Sequence, residues 1–469
     1  MKFSRKFPPQ EILLALVLVA VTVVSISRLT TFPRIFYDEG ITIEIARNFQ
    51  LFGISDISTA PGQFTDAPYI NASSGFPVTI PLALFFRLFG FGLVQARIYA
   101  LLWLLACFVA VYIFSKRLWG STHAISAVLL LATFAPLYDN GRRVLGEIPG
   151  FVFLLAGLFV LMTRHKPVVA GIFFGLATVS KPSVYLLVVP ALMIAAIYNR
   201  EVRKSIMPIL VGVFPVILLW VWLTLPNPLS IHAWEQLLIY YQNPNITSLS
   251  GNFIRNLRMF LSQSTLMYFS SIAILISLAL YPKRHYIRTD SFVSFLIPYG
   301  ALLVLYFLRS PGWLKYLLPL ELLILIVLPE YLRLTLDRIR RVRLYPIVII
   351  SFVVVQGVHL MFFSNITNAS NEAQIIAQYV SQQSGMIGII KSPQIACLIA
   401  PERKLQYQPY NMRYIFGQNP LSAPIAQLPR FLILPFGYER IGVFSELELT
   451  NLQRYTLIRS GGWAVYELK

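Results

Sequence analysis

Residues 76–89 read FPVTIPLALFFRLF, an apolar stretch interrupted by Pro77, Pro81 and Arg87 and followed by Gly90-Phe91-Gly92. A bilayer core needs about 20 apolar helical residues, so a segment this short and broken is read as a helix lying in the interface. That reading decides the topology. If the segment does not cross, the next apolar run, Val94 to Ser115, ends at Lys116-Arg117 on the cytoplasmic side, and every later basic cluster falls there as well. If it crossed, each following loop would change sides.

Upstream, Lys2, Arg5 and Lys6 precede the run from Glu11 to Leu29, which is long enough to span and places the N-terminus in the cytoplasm. The run is long for a signal-peptide core, and Ile26-Ser27-Arg28 is a poor cleavage site, so it reads as a permanent first span. Downstream, spans are expected at 121–138, 148–163, 168–180, 184–198, 206–224, 265–281, 291–308, 314–330 and 344–362. Together they give about eleven crossings. Arg164-His165-Lys166, Arg200 to Lys204, Lys283 to Arg288 and Arg333 to Arg343 then face the cytoplasm, and the C-terminus lies outside.

Composition agrees. Hydrophobic residues make up 57% of the chain and charged residues 13%, with a mean hydropathy of +0.67, the signature of an all-α polytopic membrane protein. The net charge of +19 belongs to loop clusters that orient spans, which argues for topology and against nucleic acid as a partner. Cys107 sits in an apolar run and Cys397 near the C-terminus, settings too different for a disulfide or a thiolate metal site.

From about Ser364 the composition turns polar, with short apolar runs at Ile387 to Ile390 and Phe431 to Leu434. Residues 364–469 are therefore expected to form a small extracytoplasmic α/β domain after a membrane domain of residues 1–363. Within it Arg403, Lys404, Arg413 and Tyr414 could contact a saccharide, but charged residues of this kind more often form a solvated surface. Sequons at Asn71, Asn245, Asn365 and Asn368 fall on the expected outer side.

The expected outer loops hold the carboxylates. Asp38, Glu39, Glu44, Asp56 and Asp66 lie in the first loop, residues 30–93, and Asp139, Arg142, Arg143 and Glu147 in the second. Arg97, Lys181, Arg309 and Lys315 stand near the outer ends of separate spans. After Asp38, Ile41, Ile45, Phe49 and Phe52 recur at helical spacing, so Asp38-Glu39 begins an interfacial helix whose dipole favours ionised carboxylates. Asp38 equally fits an N-cap, Arg97 a snorkelling side chain, and Lys181 before Pro182 an interfacial anchor.

The words Tyr37-Asp38-Glu39-Gly40, Ser74-Gly75-Phe76-Pro77, Leu88-Phe89-Gly90, Ala96-Arg97, Gly141-Arg142-Arg143 to Glu147-Ile148-Pro149, Gly175-Leu176-Ala177 to Lys181-Pro182, and Lys315-Tyr316-Leu317-Leu318-Pro319 stand in a telling order. Over residues 11 to about 330 the chain resembles the glycosyltransferase-C class of integral membrane enzymes. The branch is that of protein O-mannosyltransferases and lipid A aminoarabinose transferases. Two positions depart from the family: Glu147 stands where an Asp is usual, and Ser74-Gly75-Phe76-Pro77 replaces a Glu-Lys-Pro-Pro.

The resemblance implies transfer of a sugar from a polyprenyl-phosphate carrier to a lipid, glycan or protein acceptor on the outer face of the plasma (inner) membrane, usually with inversion. It implies Asp38 as the catalytic carboxylate, with Glu39 and Glu147 as further catalytic candidates. Lys181, Arg142, Arg97 and Lys315 are the candidates for the donor phosphate, and Tyr37 and Tyr316 for acceptor or sugar contacts. No cofactor is implied with certainty; Asp38, Glu39 and Glu147 could offer oxygen ligands to a divalent metal, although no short ligand motif is present. A transporter or flippase for a lipid-linked sugar, with Arg97, Glu321 and His359 along its path, is the alternative, and a structural subunit a third reading. The scarcity of charge in mid-membrane stretches speaks against the transporter.

Overall fold

In the computed structural model, which describes residues 9–65, 73–225, 228–241, 249–280, 290–362, 369–411, 414–440 and 444–469, helices dominate. Lys2, Arg5, Lys6, Asp66, the cluster 283–288, the sequon asparagines Asn71, Asn245, Asn365 and Asn368, Arg413 and the domain boundary expected near residue 363 lie outside the described residues. The chain divides into two units. The first comprises Met1–Leu29, Ala100–Val221 and Asn245–Thr367, the second Thr30–Tyr99, Trp222–Pro244 and Asn368–Lys469. Residues 30–99 thus group with the C-terminal residues.

The first unit is a helical bundle around Leu318–Arg338. Residues 322–328 of that helix, Leu-Leu-Ile-Leu-Ile-Val-Leu, are all buried, as expected of a helix apolar on every face. Pro9–Ile26 shows the opposite pattern: Val17, Val21 and Ser25 are buried while Ile12, Leu16, Val19 and Val23 are exposed. Exposed apolar side chains along a helix of this kind suit a hydrocarbon surrounding.

Among the described residues six helices are long and apolar enough to cross a membrane: Pro9–Ile26, Leu93–Trp119, Glu147–Arg164, Arg200–Thr224, Ser291–Arg309 and Val342–Phe362. Two bent pairs raise the number to eight if each is one span. Ser121–Ala132 turns by 72° into Ala135–Gly141, and Ser250–Ser262 by 78° into Ser264–Ser277. The first pair covers the span expected at 121–138. In the second, the span expected from 265 is preceded by an amphipathic helix with Phe253, Ile254, Leu257 and Leu261 exposed.

Segments expected at 168–180, 184–198 and 314–330 form the helices Pro167–Ser180, Pro182–Tyr185 with Val188–Tyr198, and Leu318–Arg338. Pro167–Ser180 packs backbone to backbone against Arg200–Thr224. A Cβ on Gly171 would stand 2.1 Å from the Ile209 carbonyl oxygen, and one on Gly212 2.0 Å from that of Val168. Small residues at such crossings let helices gain dispersion contact where lipid offers no hydrophobic drive.

In the second unit, helix Tyr37–Phe52 is followed by a small hairpin of β1 (Ser58–Ala60) and β2 (Gln63–Phe64), and then by helix Phe76–Phe89. That last helix buries Val78, Leu82, Ala83 and Phe86 and exposes Leu84, Leu88 and Phe89. The C-terminal residues form the expected α/β domain. Its strands are β3 (Ile387–Ile390), β4 (Lys404–Asn411), β5 (Tyr414–Phe416), β6 (Phe431–Pro435), β7 (Tyr455–Arg459) and β8 (Trp463–Leu468). They form one sheet in the order β5-β4-β3-β6-β8-β7. β3 pairs in parallel with both β4 and β6, and all four of its residues are buried, as central parallel strands require. The remaining pairings are antiparallel.

Candidate active site

The helix from Tyr37 to Phe52 begins at Phe36 as N-cap, one residue before Tyr37. Asp38 is therefore the second helical residue and not the cap that spacing allowed. The third, Glu39, takes the capping role: its carboxylate accepts a hydrogen bond from the Phe36 N–H at 3.2 Å. The same carboxylate receives Arg97 side-on, with Nε 3.1 Å from Oε1 and Nη2 3.1 Å from Oε2. Both side chains are fully buried. Arg97 thus does not snorkel.

Adjacent acids meet different environments. Glu39, Glu44 and Asp56 are buried, whereas Asp38 is half-buried at the start of its helix. Asp56 holds its own loop, accepting from the Ile57 N–H at 2.7 Å and from the Thr65 hydroxyl at 2.5 Å. Glu44 is bound at 2.6 Å by Lys404 Nζ. Lys404 is itself fully buried, which corrects its reading as part of a solvated surface. The Tyr37 hydroxyl donates to Gln408 Oε1 at 3.2 Å.

In the first unit, Glu147 opens helix Glu147–Phe159 and Lys181 ends Pro167–Ser180, with Nζ 3.5 Å from Glu147 Oε1. Both are buried, and neither Glu147 carboxylate oxygen has a hydrogen-bond partner among the described residues. Backbone packing sets this pair. A Cβ on Gly146 would lie 1.8 Å from the Ser180 carbonyl oxygen, so only glycine lets the two helix ends approach. The Tyr185 hydroxyl donates to the Glu147 carbonyl at 2.6 Å.

The other candidates of this unit have local partners. Arg142 is buried and its Nη1 donates to the carbonyls of Val24 at 3.1 Å and Ser25 at 3.4 Å. Arg143 pairs with Asp139 at 3.0 Å, one helical turn earlier. Lys315 Nζ stands 5.1 Å from the Trp313 ring centroid, and the Tyr316 ring packs edgewise on Tyr306. Of the residues proposed for a transport path, Arg97 is paired with Glu39 and Glu321 is buried near the start of Leu318–Arg338.

The structure thus joins Asp38, Glu39, Tyr37 and Arg97 around one helix start, and Glu147 with Lys181 at another. Among the described residues no group of three or more His, Cys, Asp or Glu side chains comes together in a way that could hold a metal ion. Sequence reasoning missed Glu44, Lys404, Gln406 and Gln408 as a group. The alternation of polar residues in β4 was a signal, but it is one that solvent-facing strands share.

The sequence model of the family described as Dolichyl-phosphate-mannose-protein mannosyltransferase matches residues 78–224. No curated protein sequence matches the chain. Among solved structures it is similar to ArnT from Cupriavidus metallidurans bound to undecaprenyl phosphate, at 14% identity and a TM-score of 0.58, over 97% of each chain. It is also similar to the Archaeoglobus fulgidus oligosaccharyltransferase tethered with an acceptor peptide, at 10% identity and a TM-score of 0.58, over 98% of this chain and 74% of that one. AglB from the same organism, in complex with an inhibitory peptide and a dolichol-phosphate, matches at 11% identity and a TM-score of 0.53 over the same shares. At these identities the likeness is one of fold. Residues 78–224 thus match that family's sequence model, and the chain as a whole, a multi-pass membrane protein, has the fold of these solved structures.

Proposed function

We propose that the protein is an inverting glycosyltransferase that moves a sugar from a polyprenyl-phosphate carrier to an acceptor hydroxyl on the outer face of the membrane. The N-terminus is then cytoplasmic, and the C-terminal domain and the chemistry are extracytoplasmic. The observation that carries the reading is the contrast at the start of helix Tyr37–Phe52: Glu39 is locked to Arg97, while Asp38 beside it stays half-buried at the positive end of the helix dipole. The helix dipole there favours a negative charge, and part of the Asp38 side chain is exposed. The polyprenyl phosphates bound to the ArnT and AglB relatives support a lipid-phosphate donor.

In the proposed reaction the acceptor oxygen attacks the anomeric carbon, the bond from that carbon to the phosphate oxygen breaks, and the hydroxyl proton passes to Asp38. The carrier leaves as a phosphate anion and needs no proton. Asp38 is the general base, a role worth about 10² to 10⁴ in rate. Lys181 and Arg142, with Lys315, neutralise charge on the departing phosphate. Tyr37 and Tyr316 contact sugar or acceptor. Glu39 and Arg97 hold the helix start that carries the base, and Glu147 orients Lys181.

The test is transfer from a panel of polyprenyl-phosphate sugars by purified protein in lipid, comparing wild type with Asp38→Asn. Loss of transfer with donor binding and folding retained supports the assignment. Unchanged transfer by Asp38→Asn removes Asp38 as base. No transfer by wild type from any donor turns the reading toward a transporter. Product with the donor's own anomeric configuration rules out single displacement.

A further inference from the structure

Strand β4 alternates Lys404-Leu405-Gln406-Tyr407-Gln408, a pattern that ordinarily turns its polar face to water. Here the polar face is inside. Lys404, Gln406 and Gln408 are all fully buried, while Tyr407 packs from the other face onto the domain's apolar cluster with Ile390, Leu421 and Leu432. Three buried polar side chains in a row need partners, since an unsatisfied buried polar group is costly.

Their partners come from helix Tyr37–Phe52 and the strand after it. Lys404 Nζ donates to Glu44 Oε1 at 2.6 Å and to the Ala396 carbonyl at 3.2 Å, and Glu44 Oε1 also accepts from the Ser58 N–H at 3.1 Å. With its amide nitrogen turned toward Glu44, Gln406 donates to both Glu44 oxygens and to the Ser58 carbonyl, each at 3.2 Å, and accepts from Gln408 Nε2 at 3.1 Å. Gln408 in turn accepts from the Tyr37 hydroxyl. The row of β4 therefore follows the helix from Glu44 back to Tyr37, the residue before Asp38.

Two further contacts fix the same helix. Gly40 abuts the short helix Pro393–Ala396 so closely that a Cβ would stand 2.5 Å from the Pro393 carbonyl oxygen. Arg47 Nη1 donates to the carbonyls of Ile399 at 2.7 Å and Cys397 at 3.4 Å. The sheet itself is held by backbone pairing of β4 with β3 and β5.

We infer that the C-terminal domain is part of the catalytic scaffold, with the buried Lys404–Glu44 pair and the Gln406–Gln408–Tyr37 chain acting as positioning residues that set where Asp38 stands. This inference rests on the reading of Asp38 as base. Lys404 touches no reacting atom; it acts through Glu44 and the helix.

The experiment is a double variant, Glu44→Gln with Lys404→Met, in the full-length protein in lipid. Replacing a buried ion pair by a neutral pair of similar volume is often neutral for stability, and Gln keeps an acceptor for the Ser58 N–H. The variant is expected to keep its unfolding midpoint while kcat falls by about 10²-fold, the cost of a misplacement near 1 Å, with the donor KM unchanged. Amide exchange across residues 37–52 is expected to quicken. Wild-type kcat in the folded double variant overturns the inference.

If wild type transfers from no donor, the Asp38 reading fails first. Exchange alone then decides whether β4 holds the helix, and unchanged protection overturns it. Should the double variant not fold, Gly40→Ala replaces it. That change alters no charge and pushes the helix from Pro393, and retained kcat with retained protection would sink the idea.

Discussion

Arg97 closes a two-point contact on Glu39, 58 residues earlier in the chain, with both side chains wholly out of solvent. The pair fastens the first turn of helix Tyr37–Phe52, and the next residue toward the N-terminus is Asp38. Of the two adjacent carboxylates, Glu39 is thereby wholly buried in an ion pair while Asp38 is half-buried.

Removing Arg97 leaves Glu39 charged and buried, so Arg97→Ala is expected to cost about 3–5 kcal/mol in stability. Glu39→Gln paired with Arg97→Met is expected to recover most of it. Thermal unfolding of the two proteins in the same lipid checks this, and equal losses in both would deny the pair its role. Asp38→Asn, by contrast, is expected to leave the midpoint unchanged.

Gly146→Ala is expected to cost about 1–3 kcal/mol, because a Cβ there meets the Ser180 backbone and must part the helix ends that carry Glu147 and Lys181. Under the proposed role of Lys181 the donor KM also rises. Denaturation and donor titration on one preparation read both effects; a variant as stable as wild type would contradict the packing.

Asn256 is buried with its Nδ2 facing the carbonyls of Phe307, Leu308 and Ser310 at 2.9, 3.2 and 2.7 Å. It satisfies the end of helix Ser291–Arg309, just before the turn that holds Lys315. Asn256→Ala is expected to lose about 1–3 kcal/mol. Asn256→Asp, which exchanges the donor for an acceptor, should be worse, and a thermal series that ranks them the other way would refute the capping role.

Cys397 is buried, and burial, with Glu44 nearby, raises its thiol pKa above the ordinary value. Little thiolate forms at pH 8, and access is closed. Iodoacetamide is expected to leave Cys397 unmodified in the native protein and to label it after unfolding, as peptide mass mapping would show. Rapid native labelling would mean that the segment between β3 and β4 opens.

Summed hydropathy and basic clusters were enough to identify a polytopic membrane protein, because partition into a bilayer depends on the composition of each segment more than on its neighbours. The amphipathic helix after Asp38 and the α/β character of the C-terminal residues were legible for the same reason, since periodicity is local. The bends after Ala132 and Ser262 were not, nor the helix Leu249–Ser262, whose mixed polar and apolar residues do not form a span-like run. Only the tertiary structure decided which charges are engaged. Glu39 finds Arg97 58 residues away and Glu44 finds Lys404 360 residues away, pairings that chain folding creates and that no local pattern encodes. For the same reason β4, polar on alternate residues, looked solvent-facing in sequence. Burial of a polar face is favourable only when its partners are supplied, and here helix Tyr37–Phe52 supplies them.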